Sequence, residues 1–295
     1  MSNIKNTFSH RTSEPEDSVL YIIGTPIGNL NDISKRAINI LSKVSLIACE
    51  DTRNTRQLMQ CLNISNKLIS FNDHNAKTKL SFLIDDLKRG NSIALVSDAG
   101  MPLISDPGEL LVKEAKKESI DIITVPGPCA ALTALVCSGL STKVFTFYGF
   151  LPKSGKERKE ILNTIKLSKD TSIIYESPKR IIKSLMDLRS ICGGKRNISL
   201  SRELTKKFEQ NLGSDFDSVI NYLLNNEPKG EFTLIISGYN AKNNFKDDEY
   251  KLLKDELYEL IEAGLSHSAA SIYLSKKYQK PKNKIYKLLI EDNVR

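Results

Sequence analysis

Short apolar runs closed by glycine- or proline-bearing turns alternate along most of the chain with segments whose apolar residues recur at helical spacing. Val19–Ile23, Val44–Ala48, Ile93–Val96 and Asp121–Val125 read as buried strands. Between them, residues 32–41 (Ile33, Ala37, Ile40, Leu41) and 75–89 carry the period of amphipathic helices, and an apolar helix is predicted from Pro126-Gly127-Pro128 through Val136. The alternation resumes with helix 156–168, strand Ser172–Tyr175, helix 179–191, strand Ile198–Ser201, helix 215–225 and strand Phe232–Ser237. Such alternation predicts an α/β fold built on parallel strands. After a polar break at 243–248, helices are predicted over 250–263, 268–277 and 283–290, the last two flanking Pro281.

The pattern divides the 295 residues into four parts. Residues 1–18 are polar, lack the apolar stretch of a secretory signal and read as a disordered tail. Residues 19–148 form an N-terminal α/β domain, and 149–240 a C-terminal one, with Gly149–Gly155 as the linker. Residues 247–295 form a small helical module. The chain is long enough for two domains and a sizeable core.

One stretch organises the rest: Ser97-Asp98-Ala99-Gly100-Met101-Pro102-Leu103-Ile104-Ser105-Asp106-Pro107-Gly108. It follows the strand Ile93–Val96 and precedes an apolar-periodic segment (Leu110, Leu111, Ala115). Asp106, Pro107 and Glu109 suit the N-cap, N1 and N3 positions of that helix. Twelve residues exceed the usual connection of about 4–6, and open α/β sheets bind ligands at such carboxyl-end loops. The loop has two aspartates and no lysine or arginine, the reverse of a phosphate cradle. It suits a ribose diol, an amino group or a cationic centre. Read alone, Asp98 and Asp106 fit equally as turn and cap residues. The turn Gly24–Gly28 lacks the spacing of a dinucleotide fingerprint.

Charge changes the picture at two places. The net charge is +8, and six basic residues lie between Lys153 and Lys169 against Glu157 and Glu160. Between Ser266 and Ile290 there are six lysines, Lys276, Lys277, Lys280, Lys282, Lys284 and Lys287, and no acid. A solvated helix face normally mixes signs, so the second cluster points to a nucleic-acid contact on a helix-turn-helix-like module; a plain helical bundle is the competing reading. Five cysteines (49, 61, 129, 137, 192) without a CxxC pair indicate neither a zinc site nor a disulfide framework, and no metal is expected. Reduced thiols in a cytoplasm fit that usage, and no apolar run approaches a membrane span.

Eight blocks carry a family resemblance, in order: LYIIGTPIGNL (Leu20–Leu30), CEDTR (Cys49–Arg53), FNDHN (Phe71–Asn75), SDAGMPLISDPG (Ser97–Gly108), VPGPCA (Val125–Ala130), YGFLP (Tyr148–Pro152), YESPKR (Tyr175–Arg180) and SRELTK (Ser201–Lys206). Together they resemble the bacterial ribosomal RNA small subunit methyltransferase I family, a branch of the tetrapyrrole-methylase (class III) methyltransferases, over residues 19–240 plus a helical tail. Met101 stands where that family usually has Thr, and Lys179 where it usually has His.

The resemblance implies two α/β domains of the tetrapyrrole-methylase type with S-adenosylmethionine in the cleft between them. Carried over position by position, it places Pro26, Asp98, Gly100, Met101, Pro102, Ile104 and Ser105 near that cofactor, with Cys129 and Ala130 on one side. Tyr175, Leu204, Phe232 and Thr233 contribute from the second domain. Cys129 and Ala130 read by themselves as the packed start of a helix. The implied activity is 2′-O-methylation of a cytidine in the decoding region of 16S ribosomal RNA, within the 30S subunit, by a cytoplasmic homodimer.

A ribose hydroxyl is a poor nucleophile at neutral pH and gains from a base or an acceptor. Glu50, Asp51, Asp73, His74, Glu176 and Glu203, all in family-like blocks, are the catalytic candidates. Each carboxylate also fits a structural pairing with a nearby arginine, as Glu50 with Arg53 or Glu203 with Arg202. His74 has the pKa for the task, but a lone histidine reads equally as structural. Arg53, Arg180 and Arg202 suit RNA phosphates. Two other functions fit parts of the chain. A class III methyltransferase of a small tetrapyrrole would share the cleft, and a non-catalytic rRNA-binding assembly protein would share the basic tail.

Overall fold

Successive residues of a strand face opposite ways, so a strand that is apolar throughout needs cover on both sides. The first strand, β1 (Val19–Ile23), is buried at every position. In the computed structural model, which describes residues 13–239, 253–278 and 280–287, it lies inside a five-stranded sheet. Its partners are β2 (Leu46–Cys49), β3 (Leu68–Ser70), β4 (Ile93–Val96) and β5 (Asp121–Val125), in the order β3-β2-β4-β1-β5. Every pairing is parallel. Val19, Tyr21 and Ile23 pack with α1 (Lys35–Lys43) and with Met59 of α2 (Thr52–Cys61). Leu20 and Ile22 pack against α3 (Ala76–Lys88) and α4 (Glu109–Lys117) on the opposite face.

The second sheet is mixed, with β6 (Phe145–Phe150), β7 (Thr171–Glu176), β8 (Asn197–Arg202), β9 (Gln210–Asp215) and β10 (Phe232–Ile236) in the order β6-β7-β10-β8-β9. Only β6 and β7 run parallel; β10 is antiparallel to both its neighbours, as is β9 to β8. One face is covered by α6 (Gly155–Leu167), α7 (Ile181–Cys192) and α8 (Phe216–Asn225). The other face presents Ile173 and Ile235 to α5 (Ala130–Cys137), the helix that leaves the first sheet after β5. Its Ala131, Ala134 and Leu135 share one apolar cluster with Ile27 and Leu204. A shared core explains why both sheets belong to one compact unit running through Gly238.

Several expectations change. The second sheet begins at Phe145, ahead of the boundary expected at residue 149, because the alternating Phe145-Thr146-Phe147 segment pairs with β7. The short β3 and the polar β9, neither of them an apolar run, were not foreseen. Of the predicted disordered tail, residues 1–12 lie outside the described residues. Residues 13–18 are anchored: Glu14 is buried and accepts two bonds of 2.6 Å from the Arg36 guanidinium, and the Glu16 N–H donates to the Tyr21 hydroxyl. Charge pairing with α1 holds a segment that hydropathy alone marks as loose.

The remaining described residues form a separate unit. A helix over 253–262, α10 (His267–Lys277) and α11 (Lys282–Lys287) surround a small core of Leu253, Leu257, Ala270, Leu274 and Ile285. Ser266 caps α10 through the Ala269 N–H.

A buried polar network stiffens the second sheet where it approaches the first. The Arg158 guanidinium, on α6, donates to Asp187 (2.7 Å), to the Ser184 hydroxyl and to the Pro152 carbonyl. Ser184 in turn donates to Glu176, whose other oxygen takes the Ser177 N–H. Removing Arg158 leaves the buried Ser184 and the Pro152 carbonyl without their donor, while Asp187, 36% exposed, turns to water. Arg158→Ala is expected to lower stability by about 2 kcal/mol, measured as a shift of the urea midpoint at unchanged slope, and an unshifted midpoint would show the network to be incidental.

Candidate active site

Three loops leave the carboxyl ends of β1, β4 and β5 and are tied to one another. Thr25 and Gly100 exchange backbone hydrogen bonds of 2.9 and 3.1 Å, an isolated antiparallel bridge between the loops after β1 and β4. The Gly24 N–H donates to the Val125 carbonyl at 3.2 Å. A Cβ on Gly24 would lie 2.6 Å from the Gly127 Cα, so these two loops meet glycine to glycine, with no room for a side chain on either. The organising loop also holds Leu103 (φ 72°) and Ser105 (φ 68°) in the left-handed region, and Glu203 (φ 52°) and Thr205 (φ 65°) match them across the cleft. Left-handed non-glycine residues persist only where their surroundings hold them, and they gather at functional sites.

A cavity of about 460 Å³ opens between this loop and the second sheet, a size suited to a cofactor or small ligand. Asp98, Gly100, Met101, Ile104, Ser105, Cys129 and Ala130 line it from the first half, and Tyr175, Leu204, Phe232 and Thr233 from the second. Pro26 and Pro102 are not among the lining residues; they shape the turns behind it. Ile27, Ala99, Asp106, Phe150, Ser177, Pro178 and Glu231 line the cavity without having been singled out for it. All but Glu231 stand inside family-like blocks (LYIIGTPIGNL, SDAGMPLISDPG, YGFLP and YESPKR), where only the side-chain direction was missing.

The floor is acidic. Asp98 spends its carboxylate on structure, accepting from the Asp51 N–H (3.1 Å) and the Asn54 side chain (2.7 Å), which locks the start of α2. Glu50 lies beside it, pushed above the usual carboxylate range by burial and then by the Asp98 charge. Asp106 is not the helix cap that its sequence context suggested. Gly108 holds the N-cap position of α4 with no side-chain cap bond, wedged against Leu95 and Leu103. The Asp106 carboxyl instead turns inward, where burial first and the Glu50 charge second raise its pKa to about 7.

The other candidates are not brought to the cavity as free groups. Glu176 lines it but is 2% exposed and fully engaged by Ser177, Ser184 and Arg180. Asp51 caps α2 through the Arg53 N–H and chelates the Arg53 guanidinium, which holds it near 2. Arg53 therefore pairs with Asp51 and not with Glu50. Glu203 takes the Glu231 N–H and pairs with Lys206, and these partners outweigh its burial and keep it below the usual range. Arg202 goes to the Lys229 carbonyl and Gln210 instead of pairing with Glu203. Asp73 and His74 are exposed on the loop before α3. Arg180 donates to the Leu151 carbonyl and forms an ion pair with Glu176, so its guanidinium braces the fold.

Tyr175 stands at the joint. Its hydroxyl accepts from the Ala131 N–H at 3.0 Å, fixing the start of α5 to the second sheet, and Phe147 and Phe150 meet its ring edge-on. Burial drives its pKa well above the usual phenol range, so it stays neutral.

In the separate helical unit, Lys276 is exposed, Lys277 pairs with Glu256, Lys280 is half-buried and Lys282 donates to Ser268. The side chains of Lys284 and Lys287 lie outside the described residues. Among the described residues no cluster of three or more His, Cys, Asp or Glu is placed to hold a metal ion, and no helix is long and apolar enough to cross a membrane.

Known proteins resemble this arrangement at two levels. The family described as Tetrapyrrole (Corrin/Porphyrin) Methylases matches residues 19–216. A protein of Synechocystis named ribosomal RNA small subunit methyltransferase I is 41% identical over 273 residues, 92% of this chain and 98% of its own length. Its namesake in Vibrio cholerae is 42% identical over 279 residues, covering 93% and 95%. The one in Halalkalibacterium halodurans is 47% identical over 227 residues, covering 77% and 78%. Among solved structures, a cobalt precorrin-4 methyltransferase superposes with TM-score 0.55 at 14% identity, over 75% of this chain and 95% of that one. The uroporphyrin-III-C-methyltransferase of Thermus thermophilus does so with TM-score 0.51 at 14% identity, over 75% and 94%. These two likenesses establish the fold.

The inward-turned carboxyl of Asp106 makes stability depend on pH with a definite sign. The folded chain keeps that proton until about pH 7, whereas an unfolded aspartate loses it near pH 4, at about 3.9. The folded state therefore loses stability as pH rises between those values. Asp106→Asn is expected to melt with the unsubstituted protein at pH 4 and about 4–8 °C above it at pH 8. Equal melting temperatures at pH 8 would mean that the carboxyl is not desolvated.

Proposed function

This chain belongs to the tetrapyrrole methylase family, in the branch of the ribosomal RNA small subunit methyltransferases I, and from that footing we propose that its cleft methylates the 2′-hydroxyl of a cytidine in the decoding region of 16S ribosomal RNA. The coarser activity is methyl transfer to small-subunit ribosomal RNA. The observation that carries the reading is the cavity itself, an anionic floor facing apolar and aromatic walls at the carboxyl ends of parallel strands.

The family's methyl donor is S-adenosylmethionine, which supplies an electrophilic methyl on a cationic sulfur. The residues present fit it. Asp98, held by Asp51 and Asn54, keeps the organising loop in one shape, and Glu50 and Asp106 add carboxyl groups to the floor, the latter keeping its proton up to about pH 7 until a cation draws it off. Ile27, Met101, Ile104, Leu204 and Phe232 offer apolar walls for a purine. Met101 brings no hydroxyl; its sulfur sits over Gly24 and closes the wall between two loops. Pro26 and Pro102 set the turns beneath.

Because in-line displacement is governed by positioning, the chain's main work is to hold donor and acceptor in register. Its second task is to take the proton of the ribose hydroxyl. Of the candidate groups, Glu50 combines an opening onto the cavity with a raised pKa, so it accepts that proton, and the adjacent Asp106 tunes it electrostatically. Asp51, Glu176 and Glu203 serve structure, Asp73 adds to the like charge around Glu50, and His74 is exposed on the loop before α3. The lysine-bearing helices α10 and α11 hold RNA phosphates, and the protein works as a cytoplasmic homodimer on the 30S particle.

The test is mapping of 2′-O-methyl groups in small-subunit rRNA with and without the enzyme. A new methyl on a decoding-region cytidine is expected; methylation of a precorrin-type substrate with none on rRNA would replace this reading. Within it, Glu50→Gln is expected to lower kcat at least about 100-fold while calorimetric affinity for S-adenosylmethionine changes less than about threefold.

A further inference from the structure

The YGFLP segment does more than join two sheets. The pairing of β6 with β7 is regular from Phe145 to Phe147, then shifts register before Phe150. Gly149 takes φ 62°, and a Cβ there would lie 2.9 Å from the Ser105 hydroxyl oxygen. A bulge re-aims the side chain that follows it. Here it turns Phe150 toward the cavity, against the edge of Tyr175 at a centroid distance of 5.7 Å. Phe150 nonetheless remains 54% exposed. A large aromatic side chain held at a cavity by a bulge and a glycine, with half its surface open, has an unspent face.

The ground around it is basic. From Phe150 the chain passes through Leu151 and Pro152, whose carbonyls are held by Arg180 and Arg158, to Lys153, Lys156 and Lys159 at the start of α6, all exposed. Lys179 is exposed next to Pro178, which lines the same cavity, and it precedes Arg180 in that hydrogen-bonded rim. Exposed lysines thus follow the lining residues Phe150 and Pro178 along the chain, Lys156 sharing its charge with Glu160 at 3.6 Å, while the cavity floor carries carboxyl groups. That contrast sorts the parts of a nucleotide: phosphates to the lysines, base to an aromatic face, ribose toward the carboxylates.

We propose that Phe150 is the stacking platform for the base of the target nucleotide and that Lys153, Lys156, Lys159 and Lys179 carry the flanking phosphates of a single-stranded RNA segment entering the cleft. This rests on the rRNA methylation reading and deepens it. It gives Lys153, Lys156 and Lys159, the exposed lysines at the start of that basic stretch, a task separate from that of the C-terminal lysines. Stacking on an aromatic face tolerates any base, so the platform sets the geometry of entry, and base identity is read elsewhere.

The experiment uses the full chain with S-adenosylmethionine and 30S particles. Phe150→Ala is expected to raise KM for the particle at least tenfold with calorimetric affinity for S-adenosylmethionine within threefold. Phe150→Trp is expected to restore KM, and Phe150→Leu, equally apolar, to leave it impaired. Replacing Lys153, Lys156 and Lys179 together by Gln should flatten the dependence of log Kd for a single-stranded RNA on log salt by about 2, since each phosphate contact contributes about 0.7. Transfer by Phe150→Ala or Phe150→Leu equal to that of the unsubstituted enzyme, or an unchanged salt slope, overturns the rim as RNA entry. Absence of transfer to rRNA by the unsubstituted enzyme overturns the rRNA reading itself, and this one with it.

Discussion

Everything in the cleft depends on a backbone contact too close for side chains. Gly24 and Gly127 meet at van der Waals limits, and the neighbouring Thr25 and Gly100 exchange two main-chain hydrogen bonds. Three loops from three strands thereby become one surface. Loops usually carry function at the cost of mobility; here the ligand-facing loops are clamped by main-chain bonds whose geometry no rotamer can relax. The left-handed Leu103 and Ser105 are tolerable because that clamp leaves them no alternative.

The carboxylates divide according to how their charge is used. Asp51, Glu176 and Glu203 are each surrounded by donors, and their energy goes into fixing α2, the rim and the loop after β8. Glu50 takes a bond from the Asp98 backbone and Asp106 one from Ser97, but burial and nearby like charge outweigh those donors, so the floor holds protons more tightly than an ordinary carboxylate surface does. A cation in the cavity would relieve that repulsion, which is how an anionic site selects a sulfonium without any single strong bond.

Much of this could be read from the residues. Apolar runs such as Ile93–Val96 announced their strands because both faces had to be covered, and the Gly/Pro-rich loop after them announced a ligand site. What remained hidden depended on partners distant in sequence. Glu14 looked like part of a loose tail because Arg36, which holds it, lies a helix away. Asp106 looked like a cap because Asp-Pro-Gly-Glu fits one locally; the deciding contacts are Leu95 and Leu103 against Gly108. Arg53 looked like the partner of Glu50, and only the N-cap geometry of α2 gives it to Asp51. Phe150 and Ser177 sat in recognised blocks, but a register shift in β6 and a turn after β7 determine that they face the cavity.

The helix α5 belongs by sequence to the first sheet and by packing to the second. Where it crosses, the spacing between the halves is set by Ala131 and Ala134, both buried, against Ile173 and Ile235. A methyl group is the smallest side chain an apolar seam can carry, so the helix and the second sheet meet here across little more than the isoleucine side chains. The aperture of the cleft is therefore governed by residue volume along one short helix, and a fold of this kind can widen or narrow its gate to suit other guests without touching a single ligand-facing residue.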